Sequence, residues 1–104
     1  MRNIKTNKMP FALIIDEDNQ IQIDNEIKTS LNIKTHAFKG RDDLSMIEIY
    51  QQANLTDREL WELCKIKTEF NNNNLKFENM HAEIEAIQES IMVYWREYKI
   101  RLLQ

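Results

Sequence analysis

The sequence has very little glycine, proline or cysteine, with one residue of each among 104. The scarcity of glycine and proline leaves few positions for tight turns or long loops, which favours a helix-rich fold. The single cysteine, Cys64, excludes an internal disulfide and a metal cage built from several thiolates. No apolar run approaches the roughly 18 residues that a membrane span requires, and the N-terminus lacks the parts of a signal peptide. These absences predict a cytoplasmic protein that does not enter a membrane.

The composition is typical of one globular domain. Hydrophobic residues make up 42% of the chain and charged residues 30%, and the length suffices for one core but not for two ordinary ones. The formal net charge of -3 disfavours a surface devoted to nucleic-acid phosphates. We expect a single domain over residues 1–104, with a β-rich part over 1–41 and a helical part over 42–104.

The first third of the chain carries a pattern typical of strands. An apolar run over residues 11–15 lies between Pro10 and an acidic cluster at residues 16–18 that has the composition of a turn. From Ile21 to Thr35, apolar or β-favouring residues mostly take the odd positions, a period that leaves one strand face in water. The pattern therefore predicts an α+β fold that starts with a small antiparallel β meander, with strands near residues 11–16, 20–24 and 27–37.

A helix that starts near Asp24 is the competing interpretation of the same residues. Asp24 can act as an N-cap, and Ile23, Ile27 and Leu31 recur at helical spacing. The segment also holds several poor helix formers, among them Thr29, which would lie in the helix interior. For that reason the β meander is the preferred prediction.

Two short helices are predicted after the β part. Asp42 or Asp43 can cap the first helix, which ends at Asn54. The second helix begins at a capping box of the form S/T-x-x-E, made by Thr56 and Glu59. This capping box is the strongest local signal in the chain.

A long last helix is predicted from about Leu75 to the C-terminus, roughly 30 residues or about 45 Å. Apolar residues recur in it at alternating spacings of three and four, which is a heptad seam; its members are Phe77, Met80, Ile84, Ile87, Ile91, Tyr94 and Tyr98. Further apolar residues exceed what one seam can bury and predict a second contact, either with the β meander or with a partner protein; they are Met92, Trp95, Ile100, Leu102 and Leu103.

Four consecutive asparagines at residues 71–74 leave two interpretations of the connection between the last two helices. A turn there produces a helical hairpin in a compact monomer, and this is the preferred prediction. The alternative is one continuous helix over residues 57–104, about 70 Å long. Its heptad seam would then pair with a second copy in a coiled-coil homodimer.

No combination of residues in the sequence indicates catalysis or metal binding. Glu78 and His81 have the E-x-x-H spacing of helical metal sites, but the heptad seam places both away from the core centre. Cys64 has no histidine near it in the sequence and is predicted to be a core residue. The acidic cluster at residues 16–18 lacks the glycine and the terminal glutamate of an EF-hand loop. We therefore predict no enzymatic activity, no catalytic residue, no metal and no cofactor.

The sequence predicts a small protein-interaction module, such as an adaptor, an assembly factor or a stoichiometric inhibitor, of a size common among phage and mobile-element proteins. Aromatic and arginine side chains carry a large share of the binding energy at protein interfaces. The predicted protein-binding residues are therefore Tyr94, Trp95, Arg96, Tyr98 and Arg101.

A dimeric DNA-binding regulator is the alternative function. Between Ile27 and Phe70 an alternating strand is followed by two short helices, with a connection at residues 54–56. In this order the stretch resembles the ribbon-helix-helix repressors, whose paired strands enter the major groove. The resemblance implies that DNA contacts come from the outward strand residues, which are Lys28, Ser30, Asn32, Lys34 and His36.

Overall fold

A computed structural model describes residues 8–16, 20–72 and 80–102 of the chain. In these three ranges the chain forms helices and no β-strand, so the predicted α+β fold with an N-terminal meander is wrong. The helices are α1 (Asn25–His36), α2 (Met46–Ala53), α3 (Asp57–Asn72) and α4 (Met80–Leu102).

Helix α1 replaces the predicted strand over residues 27–37. Asp24 is its N-cap, and the Asp24 carboxylate accepts hydrogen bonds from the backbone N–H groups of Glu26 and Ile27. The hydroxyls of Thr29 and Thr35 donate to backbone carbonyls four residues earlier, at 2.8 and 3.0 Å. Each hydroxyl thus shares a carbonyl acceptor with a helical N–H group, which lets threonine satisfy its hydroxyl inside a helix at a small cost in stability. The competing interpretation of this segment as a helix capped by Asp24 is the correct one.

The predicted strands over residues 11–16 and 20–24 are reduced to one antiparallel bridge between Ile15 and Ile21. Backbone hydrogen bonds from Asp16 N to Gln20 O and from Gln22 N to Ile14 O flank the bridge. The chain therefore does reverse its direction near the predicted turn, of which residues 17–19 lie outside the described ranges. It does not extend into the two longer strands of a meander.

Helix α2 begins later than predicted and ends where predicted. Its N-cap is Ser45, which forms a complete capping box with Glu48, so the predicted caps Asp42 and Asp43 lie outside the helix. Asn54 ends α2 in the left-handed conformation, at φ 54° and ψ 55°, a conformation that asparagine tolerates better than most residues.

Helix α3 lies at the centre of the fold. The predicted capping box at its start is present, because Thr56 N donates to Glu59 Oε1 at 2.8 Å and Glu59 N donates to Thr56 Oγ1 at 3.1 Å. Helices α1 and α4 both pack against α3. Consecutive residues from Glu59 to Lys65 are buried, so the helix is covered on all sides.

Helix α4 packs antiparallel against α3 in the same chain. Lys99, near the end of α4, forms an ion pair of 2.8 Å with Asp57 at the start of α3. This arrangement rules out the single continuous helix over residues 57–104. Helix α3 includes Asn71 and Asn72, whereas the rest of the predicted turn at residues 71–74 and the predicted helix start at Leu75 lie outside the described residues.

One hydrophobic cluster joins all four helices and the bridge near the N-terminus. Ile87, Ile91 and Tyr98 of the heptad seam belong to this cluster, so the chain itself covers that part of the seam. The buried apolar residues are Ile21, Leu31, Tyr50, Leu60, Trp61, Leu63, Cys64, Ile87, Ile91, Met92, Trp95 and Tyr98.

Candidate functional site

Two of the three aromatic side chains predicted to bind a partner, Trp95 and Tyr98, are core residues. Trp95 is 3% exposed and Tyr98 is 9% exposed. The Trp95 ring meets the Trp61 ring edge to face, with 5.7 Å between centroids, and Tyr98 meets Tyr50 in the same geometry and at the same distance. Burial raises the pKa of both tyrosines. Trp95 and Tyr98 are therefore occupied by packing inside the chain.

The remaining three predicted residues lie nearer the surface of α4. Tyr94 is half-buried and stacks on Tyr98, with 6.0 Å between ring centroids. Arg96 forms an ion pair with Glu89 at 2.8 Å, and Arg101 forms one with Glu97 at 3.3 Å. Both arginines keep part of their side chain in contact with solvent, which leaves them available at a protein surface.

Two apolar residues of α4 that the aromatic and arginine criterion missed are exposed to solvent. Val93 is 48% exposed and Ile100 is 47% exposed. They are seven residues apart, which is about two helical turns, so they lie on one side of the helix. Arg96 lies between them in the sequence at spacings of three and four. We call Glu89, Val93, Arg96 and Ile100 the outer α4 face. The heptad spacing of Val93 and Ile100 is the sequence signal that could have identified it.

The predicted DNA-binding residues lie on α1 and point in two directions. Lys28, Asn32 and His36 are exposed and recur every four residues, so they share one face of the helix. Ser30 and Lys34 turn toward α3 instead, where both bind the Glu59 carboxylate. The strand on which the resemblance to the ribbon-helix-helix repressors depends is not formed, because residues 25–36 are helical.

The Glu59 carboxylate joins α1 to the start of α3. It accepts hydrogen bonds from Ser30 Oγ at 2.8 Å, from Lys34 Nζ at 2.6 Å and from the Thr56 backbone N–H. Burial by itself would raise the pKa of Glu59, but these hydrogen bonds outweigh it and lower the pKa to about 2. Glu59 is therefore ionised at neutral pH and acts as a structural anchor.

A second buried carboxylate, Glu62, holds the start of α1. Its Oε2 accepts from the Asp24 backbone N–H at 3.1 Å, and its Oε1 lies 3.0 Å from Lys65 Nζ. Arg58 lies 3.9 Å from Glu62 and 3.6 Å from Asp24, with its guanidinium 5.1 Å from the centre of the Phe11 ring. These opposite charges compensate one another where the segment around Phe11 lies against α3. Their role is therefore structural.

The residues considered for metal binding or nucleophilic chemistry are not assembled into a site. Glu78 lies outside the described residues, and His81 Nε2 lies 3.2 Å from Glu85 Oε1 in a highly exposed contact. The described residues contain no group of three or more side chains placed to hold a metal ion. Cys64 is fully buried, and burial raises the pKa of its thiol, which makes it a poor nucleophile.

The carboxylate of Asp16 is used in the local turn. It accepts from the backbone N–H of Gln20 at 2.8 Å and from the side-chain amide of Gln22 at 3.1 Å. The other members of the acidic cluster at residues 16–18 lie outside the described ranges.

Two depressions on the described surface are open to solvent. One is about 350 Å³ and is lined by four residues of α1, among them Ile33 and His36. The other is about 380 Å³ and lies between the start of α2, at Met46, and the end of α4, at Arg101. Neither brings together a nucleophile with a general base or a set of metal ligands.

Comparisons with protein-family models, with curated proteins and with solved structures find no match to this chain. In the described residues, none of the helices combines the length and apolar character needed to cross a membrane.

Proposed function

We propose that this protein is a small non-enzymatic protein-interaction module that binds a helix of a partner protein on its outer α4 face. The single observation that carries the proposal is the exposure of Val93 and Ile100 at heptad spacing on α4, while Ile87, Ile91 and Tyr98 of the heptad seam are buried inside the chain. Helix α4 therefore has two apolar stripes, of which only one is covered.

The chemistry of the outer α4 face suits a protein partner. An exposed valine or isoleucine is common on protein surfaces, but two of them two turns apart with an arginine between them form a short stripe. An amphipathic helix recognises such a stripe by inserting its own apolar residues. The ion pair of Arg96 with Glu89 provides a polar rim that sets the orientation of the partner.

The other described residues support a binding role more than an enzymatic one. The Glu59 carboxylate, whose pKa is strongly lowered, is held by hydrogen bonds that join two helices, which is a structural role. The single thiol, Cys64, is fully buried, so it would remain reduced in the cytoplasm, where we place the module. Adaptors, assembly factors and stoichiometric inhibitors all act through such surfaces.

The alternative function of DNA binding has less support. Its paired strands are not formed, and Lys34 is neutralised by Glu59. Of the five predicted DNA-binding residues, Lys28 and His36 are the only exposed ones able to carry positive charge, too few to supply the phosphate contacts that dominate DNA affinity. DNA binding is therefore not proposed here.

The proposal is tested by affinity capture from cells that naturally contain the protein, with three tagged baits compared by quantitative mass spectrometry. The baits are the wild type, the double variant Val93→Glu/Ile100→Glu and the control Ile33→Glu. Ile33 is 69% exposed on α1, so the control places the same charge on another helix. Circular dichroism establishes that all three baits are equally folded.

A partner that the wild type and Ile33→Glu retain, and that Val93→Glu/Ile100→Glu loses, supports the outer α4 face as the binding surface. Its capture should change little with added salt, since the contact is mainly apolar, whereas phosphate contacts weaken steeply. Equal capture by all three baits would contradict the proposal.

A further inference from the structure

The bridge between Ile15 and Ile21 has the geometry of a non-hydrogen-bonded antiparallel pair. The hydrogen bonds on either side of it join Asp16 N to Gln20 O at 2.9 Å and Gln22 N to Ile14 O at 2.8 Å. In such a pair, the N–H and C=O groups of the two bridging residues point away from each other. The backbone groups of Ile15 therefore point to the far side of the bridge.

On this far side, no described residue pairs with the backbone of Leu13 or Ile15. Within the described residues, the backbone groups of Leu13 and Ile15 take part in none of the hydrogen bonds that join the two segments. Exposed strand edges are templates for pairing with another strand, and proteins usually protect them with charged residues or proline. Residues 12–15 contain neither, and Ile14 is 61% exposed on this segment.

We propose that residues 12–16 pair antiparallel with the same residues of a second copy of this chain, about a two-fold axis at Ile14. In this register Leu13 of one copy lies opposite Ile15 of the other, and the backbone groups of these residues on the far side of the bridge supply the hydrogen bonds. The two Ile14 residues face each other in a non-hydrogen-bonded pair, where side chains approach most closely. The most exposed apolar side chain of the segment is thereby covered.

The occupant of the edge is a second copy because the segment is complementary to itself. A two-fold interface brings one patch against the same patch, so a charge at the axis would meet the same charge in the other copy. Residues 12–15 are uncharged, and the register places Asp16 opposite Ala12 rather than opposite another carboxylate. The coiled-coil homodimer over the heptad seam is not available, because Ile87 and Ile91 are buried inside the chain.

The area of such a contact is small, so we expect a weak dimer whose population rises with protein concentration. Its contact differs from the outer α4 face, so the two proposals succeed or fail separately. The variants that test the helix surface leave Ile14 unchanged, and the variants below leave Val93 and Ile100 unchanged.

Cysteine cross-linking tests the register directly. Ile14→Cys places two thiols across the axis in a pair whose Cα atoms lie within the range that a disulfide spans. The matched control is Ile33→Cys, which is at least as exposed but lies on α1. Both variants keep Cys64, whose thiol is fully buried. The wild type, in which Cys64 is the single cysteine, shows how much cross-linking comes from that thiol.

In a glutathione redox buffer at micromolar protein, Ile14→Cys should form the disulfide dimer at least about tenfold faster than Ile33→Cys, because pairing raises the effective thiol concentration. Equal rates for the two variants would overturn the proposal.

Sedimentation equilibrium provides a second measurement that needs no oxidation. The wild type and Ile33→Lys should associate as concentration rises, whereas Ile14→Lys should stay monomeric, because it sets two like charges directly opposite each other. A wild type that remains monomeric up to millimolar concentration, or an Ile14→Lys variant that associates as the wild type does, would refute the pairing. If either measurement refutes pairing between two copies, a strand of another protein is the remaining candidate to pair with this edge.

Discussion

Trp61 of α3 and Trp95 of α4 meet edge to face, with 5.7 Å between ring centroids and 81° between ring planes. Trp61 is fully buried and Trp95 is 3% exposed. Edge-to-face packing is a favourable arrangement for aromatic pairs, and it adds to the free energy gained from burying two large side chains. This contact fixes how the two longest helices pack against each other.

Trp95→Ala should therefore reduce the stability of the fold rather than remove a binding contact. Truncating a buried tryptophan costs about 3–5 kcal/mol, a large part of the total stability of a domain of this size. Urea unfolding followed by circular dichroism measures the loss. A cost of less than about 1 kcal/mol would show that Trp95 is not a core residue.

The stability of the protein should fall as the pH is lowered from about 4.5 to about 2. The pKa of Glu59 is lowered from 4.5 to about 2 in the folded chain, so the ionised carboxylate stabilises the fold above pH 4.5. This stabilisation is lost as Glu59 is protonated at lower pH. Urea unfolding at several pH values, with Glu59→Gln as the comparison, isolates the effect. An equally steep pH dependence in Glu59→Gln would contradict the assignment.

Asn54→Gly should be more stable than Asn54→Ala by about 1 kcal/mol. Asn54 has a φ of 54°, a left-handed conformation in which glycine meets no steric penalty and alanine does. Thermal unfolding of the two variants provides the comparison. Equal stabilities would mean that α2 does not end in the left-handed conformation.

Thr68→Val should raise the stability of the fold by about 1 kcal/mol. The Thr68 side chain is fully buried, and its hydroxyl has no hydrogen-bond partner in the part of the chain that the structure describes. Valine has the same shape and no hydroxyl to remove from water. The control is Thr35→Val, which removes a hydroxyl that donates to Leu31 O and should not stabilise. A loss of stability in Thr68→Val would reveal a partner for the hydroxyl.

Cys64 should react with a thiol reagent only when the protein unfolds. Its side chain is fully buried, and burial raises the pKa of the thiol, so little thiolate is present or accessible. The reaction with a chromogenic disulfide reagent should be slow in buffer and fast in concentrated urea. Full modification of the folded protein within seconds would place Cys64 at the surface.

Local interactions along the chain determined much of the helical part. Thr56 and Glu59 satisfy each other's backbone N–H groups, Asn54 ends α2, and the heptad seam predicts where α4 packs. These features depend on residues within about two helical turns of one another, so the sequence is enough to identify them.

The interpretation of residues 27–37 needed the tertiary structure. Ile27 and Leu31 fit both a strand face and a helix face, and the hydroxyls in the segment favoured the strand. Contacts with α3 stabilise this segment as a helix. Ser30 and Lys34 bind Glu59, and the Asp24 backbone binds Glu62. A pattern within one segment contains no information about partners 25 to 38 residues away.

Tertiary contacts also decide which residues of α4 are exposed and which are buried. The sequence by itself determined that α4 is an amphipathic helix with more apolar and aromatic residues than one seam requires. Only the tertiary structure decided that Trp95 and Tyr98 are buried against Trp61 and Tyr50, while Val93 and Ile100 stay in contact with solvent. Burial depends on which other helices pack around α4, and that packing is a property of the whole folded chain.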